Sequence, residues 1–233
     1  MTRIANICLA LFTTVLFSQN TYIQCGKLID TKKGKVYSNK TIIVSKDRIV
    51  EIKNGHVTST AEGDTTIDLT EATVMPGFID LHVHIEGEFN PQKYLNAFTL
   101  NEADLAFNSL EYANITLMSG FTTVRDLGGS GVNISLRNAI EKGKVVGPRI
   151  FTAGKSIGTT GGHADPTNGR KKSMQGDPGP REGVINSVDD AKKAVRQRYK
   201  DGSDNIKITA TGGVMSIATV SYTHLTLPTI CSV

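Results

Sequence analysis

The sequence predicts an α/β protein in two parts, a small antiparallel β unit followed by strands and helices in alternation. Three observations carry this. Brief β-branched runs separated by tight polar turns fill residues 21–75. From Pro76 onward, apolar strand-like runs alternate with stretches of helical spacing. Two of the later strands close on glycine pairs, Gly128-Gly129 and Gly212-Gly213. Four β/α units in succession imply a parallel sheet, either doubly wound or part of a (β/α)8 barrel.

In the first part, residues 22–25 run into Gly26, and residues 41–44 are followed by the turn Ser45-Lys46-Asp47. Residues 48–52 close on Asn54-Gly55, a strong turn dipeptide, and two short strands at 66–69 and 72–75 complete the unit. In the second part, residues 78–85 form the first strand and residues 101–118 a helix that stops at Gly120. Strand 121–127, helix 134–142 and strand 149–154 follow. Ser187 and Asp190 make a capping box that starts a helix running to about Lys200 and stopping at Asp201-Gly202. A fourth strand spans 205–211, after which no further β/α unit fits.

The 233 residues carry a formal charge of only +4, and Arg170-Lys171-Lys172 sits in a loop composition, so nothing predicts a nucleic-acid partner. Arg3 followed by the uncharged apolar run 4–17 reads as a secretory signal over residues 1–20, cleaved between Ser18 and Thr21. The run is shorter than the roughly 20 residues that span a bilayer. Cys25 is then the one cysteine outside the leader and the tail, which excludes a disulfide framework and a cysteine metal site. Ile23-Gln24 before it argues against a lipid anchor, so the mature protein is expected to be secreted or periplasmic, without a stable membrane anchor.

Gly154-Lys155-Ser156 lacks the earlier glycine of a phosphate loop, and Gly128-Gly129-Ser130-Gly131 lacks dinucleotide spacing. The chemistry lies elsewhere. In Pro76-Gly77-Phe78-Ile79-Asp80-Leu81-His82-Val83-His84, alternation on a strand turns both histidines to one face, where they can chelate a divalent metal. Leu81 and Val83 face the other way, toward covering helices. Lys207 alternates likewise with Ile206 and Ile208, and helices over that apolar face would turn Lys207 inward. A buried lysine favours its neutral amine, which reacts with carbon dioxide to give an anionic carbamate.

Together these stretches closely resemble the amidohydrolase superfamily. Residues 122–129, Gly161-Gly162-His163 and Ile206-Lys207-Ile208 are similar to its imidazolonepropionase-like branch, which includes Xaa-Pro and other Xaa-amino-acid dipeptidases. The resemblance covers residues 22–219. It implies the first half of a (β/α)8 metal-dependent hydrolase barrel, residues 76–219, preceded by a small β-sandwich unit, residues 21–75. It also implies two divalent metal ions, zinc by family habit, held by His82 and His84 and bridged by carbamylated Lys207. His163 would contact substrate, and Arg125 and Asp126 would form a structural pair at the barrel mouth. The implied reaction is attack by a metal-bridged hydroxide on an amide carbonyl, with a dipeptide or another small molecule as substrate. A cyclic amide or lactone substrate, or a non-catalytic scaffold, are the competing readings; a homo-oligomer is compatible with all of them.

The family's catalytic aspartate and two further histidines are expected beyond the chain end. His224 does not replace them, because residues 220–229 resemble the in-frame translation of a transposase adapter used in sequencing libraries. Residues 220–233 are therefore expected to be a non-native tail, and the natural product longer.

Overall fold

The computed structural model describes residues 19–213; most of the expected leader, the expected tail and His224 lie outside the described residues. The chain divides into two compact units, Met1–Pro76 and Gly77–Val233. Among the described residues, no helix is long and apolar enough to cross a membrane.

In the first unit, β1 (Asn20–Asp30), β2 (Lys35–Ser45), β3 (Arg48–Asn54) and β4 (Thr65–Val74) form one sheet in the order β3-β2-β1-β4. The hairpins β1–β2 and β2–β3 are antiparallel as expected, but β4 runs parallel to β1, so the sheet is mixed. Within this unit the described residues form this one sheet and not the expected sandwich. Asn54-Gly55 ends β3 without making a hairpin; the chain crosses instead to the far edge. The two short strands expected at 66–69 and 72–75 are one strand with a bulge. Its register against β1 shifts between Cys25 and Lys27, and a Cβ on Gly26 would lie 2.0 Å from the Thr70 carbonyl oxygen. Glycine is what lets the bulge approach. Cys25, Leu28 and Ile42 form the small core, and burial raises the Cys25 thiol pKa.

In the second unit, β5 (Phe78–Val83), β6 (Phe121–Asp126) and β7 (Arg149–Thr152) form a parallel sheet in sequence order. Between them lie α1 (Lys93–Thr99), α2 (Glu102–Met118) and α3 (Val132–Glu141), and α4 (Val188–Asp201) follows. Ile85, Ala113, Val124, Leu136 and Ile150 form the core between sheet and helices. Capping explains the ends the sequence predicted: Asp104 accepts the Asn101 N–H, Ser187 Oγ accepts the Asp190 N–H, and Gly202 (φ 91°) ends α4. The sequence gives no sign of α1, which has no side-chain cap bond.

The fourth strand is the main correction. Residues 205–211 make only an isolated parallel bridge, Ile208 with Ile157, supported by Ile157 N–H to Lys207 O and Thr209 N–H to Ile157 O, both 2.8 Å. The Asp204 N–H also reaches the Thr152 carbonyl at 2.8 Å. Between these points Gly154 turns the chain in the left-handed region (φ 61°), and the pairing with residues 205–211 is interrupted.

Candidate metal centre and substrate cavity

His82 sits on β5 and His84 just past its end, with ring centroids 5.5 Å apart and edge to face. Val83 and Ile85 turn the other way and pack with the core, which fixes the alternation. Leu81 does not share that burial: it is 57% exposed.

Each histidine is prepared differently. His84 Nδ1 lies 2.8 Å from the Gly128 carbonyl oxygen. A carbonyl only accepts, so Nδ1 carries the proton and the neutral ring keeps its lone pair on Nε2. The His82 pKa is lowered, first by desolvation against the protein wall, then by the charges of Lys207 and His84, with Asp80 opposing. The lowered pKa favours the neutral imidazole at His82, the form that binds metal, while the Gly128 bond selects which ring nitrogen of His84 is left to bind.

The C-terminal end of β5 is anchored from below. Asp126 is fully buried and accepts the Ile85 N–H through Oδ2 and the Gly128 N–H through Oδ1, each at 3.0 Å. Burial raises its pKa and those two bonds oppose the rise. Arg125 points away and donates from Nε to the Leu81 carbonyl at 2.8 Å. The expected Arg125–Asp126 pair is therefore not formed, because neighbours on a strand face opposite sides. Glu86 continues the alternation of His82 and His84 and receives the Ser130 and Asn133 N–H groups at 2.6 and 2.9 Å, at the start of α3. Sequence reasoning missed Glu86, although His82-x-His84-x-Glu86 carried the signal.

Lys207 and Thr209 face the same cavity as the histidines, while Ile206 and Ile208 are 40% and 55% exposed, so the alternation survives the broken ladder. Among the described residues no carboxylate forms an ion pair with Lys207. His163 lies in a loop held by Asp165, which accepts the Gly161 and Thr167 N–H groups and the Thr167 hydroxyl. Its ring rests against Gly213, where an added Cβ would come within 2.5 Å of His163 Cε1.

His82, His84, His163 and Lys207 thus line one cavity of about 800 Å³ at the C-terminal ends of the strands. Among the described residues no three His, Cys, Asp or Glu side chains gather into a metal site. The two imidazoles fit a divalent metal, whose shell takes more donors than this pair supplies.

The chain is similar to several known proteins. A Xaa-Pro dipeptidase crystallised with methionine in its active site superimposes with a TM-score of 0.80 at 48% identity, covering 87% of this chain and 50% of that one. A prolidase complexed with N-methylphosphonate-L-proline gives 0.71 at 35% identity, covering 88% and 51%. Ochratoxinase of Aspergillus niger is 32% identical over 163 residues, 61% of this chain and 32% of that protein. The chain spans about half the length of these solved structures. Residues 73–227 match the Amidohydrolase family. With the histidine pair at the end of the first barrel strand and a parallel sheet behind it, the chain belongs to the amidohydrolase family.

Proposed function

We propose that the protein is a metal-dependent dipeptidase that hydrolyses the amide bond of Xaa-Pro-type dipeptides. The observation that carries this is the convergence of His82, His84, His163 and Lys207 on one cavity. The 48% identity to a Xaa-Pro dipeptidase supports the substrate class.

In this reading His82 and His84 would hold one of two divalent ions, zinc by preference, and Lys207, carbamylated, would supply an anionic oxygen ligand. When bound, the ions polarise the amide carbonyl and make water nucleophilic near neutral pH. The chain's own groups prepare that site. Gly128 holds the His84 ring by its Nδ1 proton and leaves Nε2 to bind. Asp126 and Glu86 hold the backbone on either side of the histidine-bearing end of β5. His163, steadied by the Asp165 turn, meets the substrate from the facing loop.

The similarity to ochratoxinase favours a second reading, hydrolysis of a small-molecule amide. Purified full-length protein decides between them. Two metal ions per chain and release of proline from Xaa-Pro dipeptides are expected. Metal binding with hydrolysis of ochratoxin but no dipeptide would transfer the assignment to the second reading, and absence of bound metal would overturn both.

A further inference from the structure

Lys155 belongs to the Gly154-Lys155-Ser156 stretch that fails as a phosphate loop, yet its placement is specific. The left-handed turn at Gly154 (φ 61°) redirects the chain after β7, and Lys155 emerges half-buried in the wall of the cavity that holds His82, His84 and Lys207. Its backbone is fixed on both sides. The buried Arg198 donates from Nη1 to the Lys155 carbonyl at 3.3 Å, and Ser156 Oγ donates to the Leu127 carbonyl at 2.8 Å. Among the described residues no carboxylate forms an ion pair with Lys155. Glu182, in the same wall, has its pKa lowered by the Gly179 N–H it accepts and, more weakly, by the charge of Lys155, so it is the carboxylate a substrate would have to compete with.

A second cavity of about 810 Å³ adjoins the first and shares His84, Gly128, Gly129 and His163 with it. Its remaining walls include Phe89, Leu100, Leu105 and Tyr112, with Glu88 among them, and contain no lysine or arginine. The first cavity carries Lys155, Lys207 and Arg170, the last with its guanidinium 5.5 Å from the Phe98 ring centroid, balanced by Glu102, Asp177 and Glu182, whereas the second carries Glu86 and Glu88 and no cation. The two chambers therefore differ in charge and meet at a metal-ligand candidate.

We infer that Lys155 binds the free carboxylate of the substrate's C-terminal residue, and that the cation-free chamber receives the amino-terminal residue. The inference rests on the dipeptidase reading. A dipeptide carries its carboxylate one residue from the scissile bond, so its two ends fall on opposite sides of the shared boundary. An ammonium group carried on a held stretch of backbone in one wall then selects free dipeptides over internal peptide bonds.

The test compares a Xaa-Pro dipeptide with its C-terminal amide on the metal-loaded full-length protein. Wild type is expected to prefer the acid in kcat/KM by about 10- to 100-fold, the range of one charge-assisted contact. Lys155→Met should lower the acid's kcat/KM by that factor and leave the amide within about threefold, which removes the preference. A preference that survives in Lys155→Met, or an equal loss for acid and amide, overturns the inference and leaves the dipeptidase reading standing. Hydrolysis of neither compound by wild type overturns both. A wild-type measurement guards against a misfolded variant: L-proline should inhibit at least about tenfold more strongly than L-prolinamide. Equal inhibition would sink the assignment of Lys155.

Discussion

His84 Nδ1 and the Gly128 carbonyl oxygen stand 2.8 Å apart, which joins the end of β5 to the loop after β6. A Cβ on Gly128 would lie 2.6 Å from Ser156 Oγ, whose hydroxyl is committed to the Leu127 carbonyl. Gly128→Ala must therefore move that carbonyl or break the Ser156 bond. Loss of such an orienting bond typically weakens metal affinity about 10- to 100-fold. Metal titration of the full-length variant checks this, and Gly128→Ala with Ser156→Gly should recover part of the loss by making room.

Lys207 shares its cavity with both histidines, and its charge contributes to the lowered His82 pKa. Lys207→Ala is expected to reduce second-metal occupancy and turnover together. Lys207→Arg should fare no better, because a guanidinium stays charged and cannot form a carbamate. Short carboxylic acids should partly restore the alanine variant. Two bound metals and near-normal turnover in Lys207→Ala would show that the lysine only lines the barrel.

Asp165 organises the loop that presents His163. Burial alone would raise its carboxyl, but the Thr167 hydroxyl, the Gly161 and Thr167 N–H groups and the nearby Arg170 charge together hold it below the ordinary 3.8. A depressed folded pKa gives a contribution fully present above the unfolded value and lost as pH falls through the folded one. Hydrogen exchange of residues 161–168 should therefore accelerate as pH drops below about 3.8, beyond the intrinsic pH dependence of exchange. In Asp165→Asn that pH-linked component should vanish, with faster exchange at neutral pH as well.

The sequence carried the strand-borne histidine pair and the inward lysine because period-two alternation is written in side-chain type. What it hid was written in backbone. The hold of Gly128 on His84 uses a carbonyl, and every residue has one. The bulge opposite Gly26 broke one strand into two apparent runs, and the Gly154 turn interrupted a ladder that residues 205–211 were otherwise patterned to join. The glycine-rich stretch 128–131, rejected as a nucleotide motif, is needed for close approach: a Cβ on Gly129 would lie 2.5 Å from Glu86 Oε1. Lys155 was overlooked for the same reason, since it belonged to a motif that failed for phosphate.

Arg3 and the apolar run that follows predict export. Cleavage between Ser18 and Thr21 falls at the start of β1, which begins at Asn20. Mass spectrometry of the mature protein from its own host is expected to find its N-terminus there, and a chain still beginning at Met1 would refute export by this signal.

Arg198 is 1% exposed, on the buried side of α4. Its guanidinium donates to the Arg181 carbonyl at 2.6 Å and to the Lys155 carbonyl at 3.3 Å, and it approaches Asp201 at 3.6 Å. Its Nε has no hydrogen-bond partner among the described residues. Two contributions compete in this arrangement, the ion pair and the carbonyl bonds. The Asp201 side chain is 39% exposed, so its charge is screened and the pair contributes at most about 1 kcal/mol. The carbonyl bonds are charge-assisted and tie two loops to one helix, and losing them costs about 1.5–3 kcal/mol. Asp201→Asn should accordingly melt close to wild type, and Arg198→Met well below it. Arg198→Lys should fall nearer to the methionine variant, because a single ammonium cannot reproduce the planar fork that spans both carbonyls. Denaturant unfolding of the three variants provides the ranking, and an Asp201→Asn loss as large as that of Arg198→Met would mean that the ion pair dominates.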